Sequence, residues 1–173
     1  MQHFGDIVEK YRHQIYTLSY YYLGNREDAE DVTQDVLMRL WKNWKKVDDR
    51  RLQAWLVRVA KNACIDTARK RERYRAIVAE GDYDVASARA VDAQHDPGAP
   101  AELSDLQEQL KLALAKINEP YRSIIILREI QQMTYTEISE ALEIPLNTVK
   151  VYLHRGRRLL RDQLRERIAS GEL

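Results

Sequence analysis

Lys150, Val151, His154 and Arg155 fall at positions i, i+1, i+4 and i+5, so one face of a helix would carry all four. Their chemistry is that of reading base edges. Lysine and arginine donate to guanine in the major groove, a valine methyl meets the thymine methyl, and a bidentate arginine contact gives about 1–3 kcal/mol of discrimination. Asn147 and Thr148 open the same run, and Arg157, Arg158 and Arg161 follow where phosphates would be held. Arginines late in a helix also favour its dipole without any DNA. Lys150, Arg155, Arg157, Arg158, Arg161, Arg165 and Arg167 against only Asp162 and Glu166 are more than a dipole requires.

A second set combines Arg58, Lys61, Asn62, Arg69 and Arg73 on one side of a helical pattern, with Trp55 at its edge. Cations neutralise a strand's backbone, an aromatic ring stacks on an unstacked base, and an amide hydrogen-bonds an extruded base edge. Trp55 can equally be a core aromatic beside Leu52 and Val59. A third set is acidic: Glu27, Asp28, Asp31, Gln34 and Asp35 gather away from Val32, Val36 and Leu40. That face suits a basic partner, or is simply solvated. As a Mg²⁺ site for phosphoryl chemistry it lacks a convergent pocket, a phosphate-binding glycine loop and a paired general base, so no catalytic residue is assigned. Cys64 is the only cysteine, and His3, His13, His95 and His154 have no metal-ligand spacing. No metal or other cofactor is expected.

These sets need helices to hold them. Ile7, Val8, Tyr11, Ile15, Leu18 and Tyr22 repeat at helical intervals up to Gly24-Asn25; Asn25 can cap the next helix, whose inward stripe is Ala29, Val32, Val36, Leu40 and Trp44. Val47 to Arg51 reads as a loop, after which Leu52, Leu56, Val59 and Ala63 drive a third helix to about Arg75. Helical spacing resumes at Leu103, Leu106, Leu110, Leu114 and Ile117, halts at Asn118-Glu119-Pro120, and continues through Tyr121, Ile124, Ile125 and Leu127. Thr134 and Glu137 have the spacing of a capping box, with Met133 and Ile138 placed as the hydrophobic staple. A turn at Ile144-Pro145-Leu146-Asn147 then leads into the basic helix, which Asn147 is expected to cap. This is helix-turn-helix patterning.

The predicted fold is therefore all-α, with a three-helix domain over residues 1–78 and a four-helix domain over 103–170. Residues 79–102 join them as a flexible acidic linker, because periodicity fails there while Gly81, Pro97, Gly98 and Pro100 accumulate among acids. The formal net charge of +1 conceals this acidic field and the basic one after Lys150. No apolar run has the length of a membrane span and the N-terminus lacks a signal-peptide pattern, which predicts a soluble cytoplasmic protein without membrane insertion.

The segments from Gly24 to Asp35, from Trp55-Leu56 through Asn62 to Asp66 and Arg69, and from Thr148-Val149-Lys150 through His154-Arg155-Gly156-Arg157 together resemble the bacterial extracytoplasmic-function (ECF) sigma factors of the sigma-70 family. The resemblance implies a promoter-specificity subunit that binds RNA polymerase core through the β′ clamp helices and the β flap. Domain 2 would melt and read the −10 element and domain 4 would read the −35 element. It implies core-polymerase contacts at Asp31, Gln34, Asp35 and Met38. It also implies −10 contacts at Trp55, Arg58, Lys61, Asn62, Arg69 and Arg73, with Asn62 lining the pocket for a flipped base and Val47 to Arg51 as the specificity loop. The −35 contacts would come from Asn147, Thr148, Lys150, Val151, His154, Arg155, Arg157 and Arg158. An anti-sigma factor is a further family-level expectation. The linker would pass through the polymerase cleft, either filling a basic channel built for RNA or serving as a solvated tether. Glu143 departs from the family, which usually has glycine there; a left-handed backbone would cost about 1 kcal/mol.

The rival reading is an operator-binding helix-turn-helix regulator that acts without core polymerase. Its first domain would need a ligand pocket or a dimer seam, and the acidic and basic helices here offer neither.

Overall fold

The computed structural model describes residues 4–81 and 101–171, and the described residues are helical wherever they are regular. Helix α1 (Phe4–Leu23) buries Ile7, Ile15, Leu18 and Tyr22, and Gly24 turns the chain with φ 78°, a backbone that favours glycine. Asn25 then caps α2 (Arg26–Asn43) by accepting the Asp28 N–H at 2.9 Å, as its position predicts. Ala29, Val32, Val36 and Leu40 of α2 face inward, while Trp44 lies just past its end and is half-buried. The expected loop at 47–51 contains a short 3₁₀ turn, Asp49–Arg51, capped by the Asp48 carboxylate, which accepts from Arg50 N at 3.0 Å.

Helix α3 (Leu52–Glu80) runs about a turn and a half beyond the expected end at Arg75. Its buried stripe is Leu52, Leu56, Val57, Ala60, Ala63 and Cys64, so Val57 and Ala60 take the inward place expected of Val59, which is half-buried. Ala79 and Glu80, read as linker, are helical, as are Ala101 and Glu102 at the start of α4. The rest of the proposed linker, 82–100, lies outside the described residues.

Helices α4 (Ala101–Ala115), α5 (Tyr121–Ile125), α6 (Tyr135–Leu142) and α7 (Leu146–Ala169) form the second half. Leu114, Ile117, Ile124, Ile125 and Leu127 are buried as their spacing predicts, but Leu106 is 63% exposed. Arg122 ends α4 by donating to the carbonyls of Ala115 and Ile117, both at 2.7 Å. Past Ile125 the helix widens into one π turn, Ile126–Ile130. The capping box on α6 is complete, with Glu137 N to the Thr134 hydroxyl at 3.2 Å and Thr134 N to the Glu137 carboxylate at 2.7 Å. Met133 and Ile138 are both buried, as a staple requires. Helix α6 ends at Glu143, which is left-handed (φ 55°, ψ 44°). The Ser139 hydroxyl clamps the turn by donating to Ile144 O at 2.6 Å. Asn147 does not cap α7: the extended residue before the helix is Pro145, no side chain caps it, and Asn147 is already in the first turn. Proline preorganises the entry where a side-chain acceptor was expected.

Buried residues of both halves belong to one apolar cluster rather than two separate cores. Helix α1 packs on α4 and on the π turn, and α3 packs on α6. Polar ties cross the same seam. Gln131 Nε2 donates to Gln14 O at 2.7 Å, and the Lys111 ammonium sits 4.6 Å from the Tyr20 ring centroid. Lys111 is almost wholly buried and pairs with Glu108 at 2.6 Å. Burial opposes its charge, but the Glu108 carboxylate and the Tyr20 hydroxyl outweigh that, so its pKa stands above the usual lysine value.

Candidate nucleic-acid interface

Helix α7 turns the side chains expected to read bases outward because its buried positions follow a helical period: Val149, Leu153 and Gly156 face the core. Gly156 lets α7 lie close against α5; a Cβ there would stand 3.0 Å from Ile125 Cγ1. On the opposite side Asn147, Lys150, Val151, His154, Arg155 and Arg158 are exposed, and Thr148 is half-buried. The face assigned to base reading is thus a single surface. Arg157 is exposed too, but its Nε donates to the Glu129 carboxylate at 2.6 Å, and that bond raises the guanidinium pKa above its ordinary value. The pair ties α7 to the π turn at the protein surface. Tyr152 is turned to the core side and meets Tyr121 edge-on at 5.7 Å.

On α3, Asn62, Arg69 and Arg73 are exposed along one stripe and Lys61 is half-buried beside it. Eleven residues of helix separate Asn62 from Arg73, about 16 Å at 1.5 Å per residue, so the stripe is elongated and does not converge on a point. Trp55 packs against the core cluster, as its core reading expects, and also lines a cleft of about 770 Å³. Lys46, Arg50, Arg51 and Arg58 border that cleft on one side, and Ser139, Glu140 and Glu143 of α6 border it on the other. Arg58 does not point along the stripe. Its Nε and Nη2 donate to the carbonyls of Ala141 and Glu140 at 3.0 and 3.1 Å, and its Nη1 pairs with Glu143 at 2.7 Å.

The acidic face of α2 is real but smaller than the sequence suggests. Asp31, Gln34, Asp35 and Met38 are all exposed, and Asp35 pairs with Arg39 at 2.8 Å. Asp28 is turned inward, where it accepts from Asn25 Nδ2 at 3.1 Å and pairs with Arg71 of α3. Arg71 also donates to Leu23 O at 3.1 Å, so this group fastens the α1–α2 corner to α3. One residue of this face went unread: Trp41 is 65% exposed beside Met38, 58% exposed, with Phe4 against its edge at 4.8 Å. Its signal was its position, off the Leu40–Trp44 stripe. An exposed Met–Trp pair flanked by carboxylates is the composition of a protein-binding patch.

Among the described residues no group of three or more His, Cys, Asp or Glu side chains could hold a metal ion, and no helix is long and apolar enough to cross a membrane. Three outward surfaces therefore remain, on α2, α3 and α7. The family model for Sigma-70 region 2 matches residues 7–74, and that for Sigma-70 region 4 matches residues 107–160. The chain is 36% identical to the ECF RNA polymerase sigma factor SigW of Bacillus subtilis, over 94% of this chain and 89% of that one. It is 32% identical to the ECF sigma factor SigE of Mycolicibacterium smegmatis, over 95% of this chain and 62% of that one. Its fold is similar to that of CnrH in complex with the cytosolic domain of CnrY (TM-score 0.70, 22% identity, 94% of this chain and 88% of that one). It is similar as well to the sigma factor RpoE in complex with the anti-sigma factor NepR from Bartonella quintana (TM-score 0.70, 22% identity, 94% and 96%).

Proposed function

The chain belongs to the sigma-70 family as an ECF member, and on that premise we propose how its surfaces divide the work of directing RNA polymerase to promoters. It is an alternative sigma factor and not an enzyme. In our reading residues 1–78 are domain 2, 79–102 the linker and 103–170 domain 4. Asp31, Gln34, Asp35 and Met38 of α2, extended by Trp41, take the β′ clamp helices of core polymerase. Domain 4 meets the β flap. Asn62, with Trp55, Arg58, Lys61, Arg69 and Arg73, takes the opened −10 strand, an aromatic and an amide for bases and cations for phosphates. Lys150, Val151, His154 and Arg155 read the −35 duplex, with Arg158 on its backbone.

The observation that carries this reading is the exposed face of α7, whose side chains cluster opposite Val149, Leu153 and Gly156 and stay clear of the core. An anti-sigma factor is the further partner, by analogy with the RpoE complex, and the cytoplasm is where core polymerase would be met.

Run-off transcription with purified core polymerase, together with separate duplex-binding and strand-opening measurements, tests the division. Arg155→Ala should weaken −35 duplex binding by about 1–3 kcal/mol, roughly five- to a hundred-and-fiftyfold, and leave opening of a pre-bound promoter intact. Asn62→Ala should impair opening and spare −35 binding. Equal effects of both on one step would refute the division of labour, and retention of core binding by a Gln34→Ala, Asp35→Ala double variant would refute the α2 interface.

A further inference from the structure

We propose that the end of α6 is an internal plug for the strand-binding surface of domain 2, latched by the Arg58–Glu143 pair. The inference rests on the reading of Arg58 as a promoter-strand ligand.

The C-terminal turn of a helix leaves carbonyl oxygens unpaired and carries the negative end of the dipole. In α6 two of those oxygens, of Glu140 and Ala141, are aimed at Arg58 at 3.1 and 3.0 Å, and the Glu143 carboxylate adds a third acceptor at 2.7 Å. All three guanidinium nitrogens are thus directed at oxygens of domain 4. A fork of donors closed around oxygen and negative charge is the arrangement a phosphate would offer the same side chain. While α6 is seated, the Arg58 donors are taken, and Glu140 and Glu143 place like charge where a strand's phosphates would have to enter the cleft beside Trp55, Arg50 and Arg51.

Glu143 supports the same conclusion from its backbone. It holds a left-handed conformation, which costs a side-chain-bearing residue about 1 kcal/mol and a glycine nothing. Within the turn its side chain does nothing: the Ser139 hydroxyl clamps the loop, and the Glu143 carboxylate reaches across to the other half of the molecule. The Gln14–Gln131 and Lys111–Tyr20 contacts hold the same closed arrangement, so the latch is one of several ties across the seam. Strand and α6 compete for Arg58, and the strand's apparent affinity is its intrinsic affinity scaled by the fraction of molecules that are open.

The test uses the full chain, labelled through Glu72→Cys on α3 and Asp162→Cys on α7, since Cys64 is buried. Single-molecule energy transfer reads the closed and open populations. Fluorescence anisotropy reads binding of an oligothymidylate of about twelve nucleotides, at about 50 mM salt. Glu143→Gly removes the carboxylate and relieves the backbone, so it folds at least as well; Glu143→Gln removes only the charge. An exposed ion pair of this kind shifts an equilibrium by up to about fivefold. Both variants should enlarge the open population by about that factor and tighten oligonucleotide binding by the same factor. An unchanged population in both overturns the latch and leaves the strand reading of Arg58 intact. Opening without tighter binding shows instead that Arg58 is no strand ligand, which removes that reading and the plug with it.

Discussion

Cys64 shows how one side chain's chemistry is set by its surroundings. It is buried on α3, and burial pushes its thiol up to about 12, only partly offset by its 3.5 Å hydrogen bond to the Ser19 hydroxyl. Burial also raises the Tyr22 hydroxyl, with the Glu119 carboxylate adding to the effect. Both groups stay protonated in the folded chain at a pH where the unfolded chain has begun to ionise. The unfolded state then binds fewer protons, so stability falls as pH rises. The contribution is fully present below about pH 9 and is lost progressively towards about pH 12. Urea melts across that range should show midpoints declining from about pH 9 upwards, and Cys64→Ala should flatten part of the slope. A level profile would contradict the buried, neutral thiol. Cys64 should also resist alkylation in the native protein and react on unfolding.

At the scale of the elements, the helix-turn-helix depends on two close approaches that hydrophobic periodicity does not reveal. One is the clamp of Ser139 on Ile144 O that closes the turn after α6. The other is Gly156, where the side chain of Ile125 leaves space for hydrogen and no more. Adding two methyl groups and a Cβ there forces α7 off α5 and disturbs the Tyr121–Tyr152 edge contact four residues earlier on α7. Gly156→Val should therefore destabilise the protein by about 1–3 kcal/mol, read by thermal or denaturant melts. It should also weaken −35 duplex binding without touching a base reader. Unchanged stability would mean that Ile125 rotates away freely. The capping box, by contrast, was fully legible: the residue types at Thr134 and Glu137 and their spacing specify a local structure that tertiary packing has no reason to change.

For the molecule as a whole, the seam between the halves is the decisive feature. A buried lysine is costly unless paired, and Lys111 meets both needs at once, with Glu108 as its ion partner on the same helix and the Tyr20 ring from the other half. A double-mutant cycle of Lys111→Met and Tyr20→Leu should show a coupling of about 1 kcal/mol in unfolding experiments. Additive effects would mean that Lys111 serves only its own helix. The same seam explains why Arg58, chosen for DNA by its place in the sequence, is engaged within the protein; Arg157 is engaged inside the second half, by Glu129 of the π turn. Surplus positive charge on a helix face settles on whichever oxygens are nearest.

The sequence by itself determined the helices, the caps at Asn25 and Thr134, the outward face of α7 and the family, because helical period, capping chemistry and motif spacing are local and need no knowledge of what lies across the molecule. It also located the acidic and basic fields correctly along the chain. What only the tertiary structure decided is pairing. Asp28 leaves the acidic face for Arg71, Arg157 goes to Glu129, and Arg58 turns to the end of α6, since each partner lies 28 to 85 residues away in sequence. No periodicity encodes such a distance; the packing of α2 on α3, of α7 on α5 and of α3 on α6 brings those charges within reach, and Coulomb attraction does the rest.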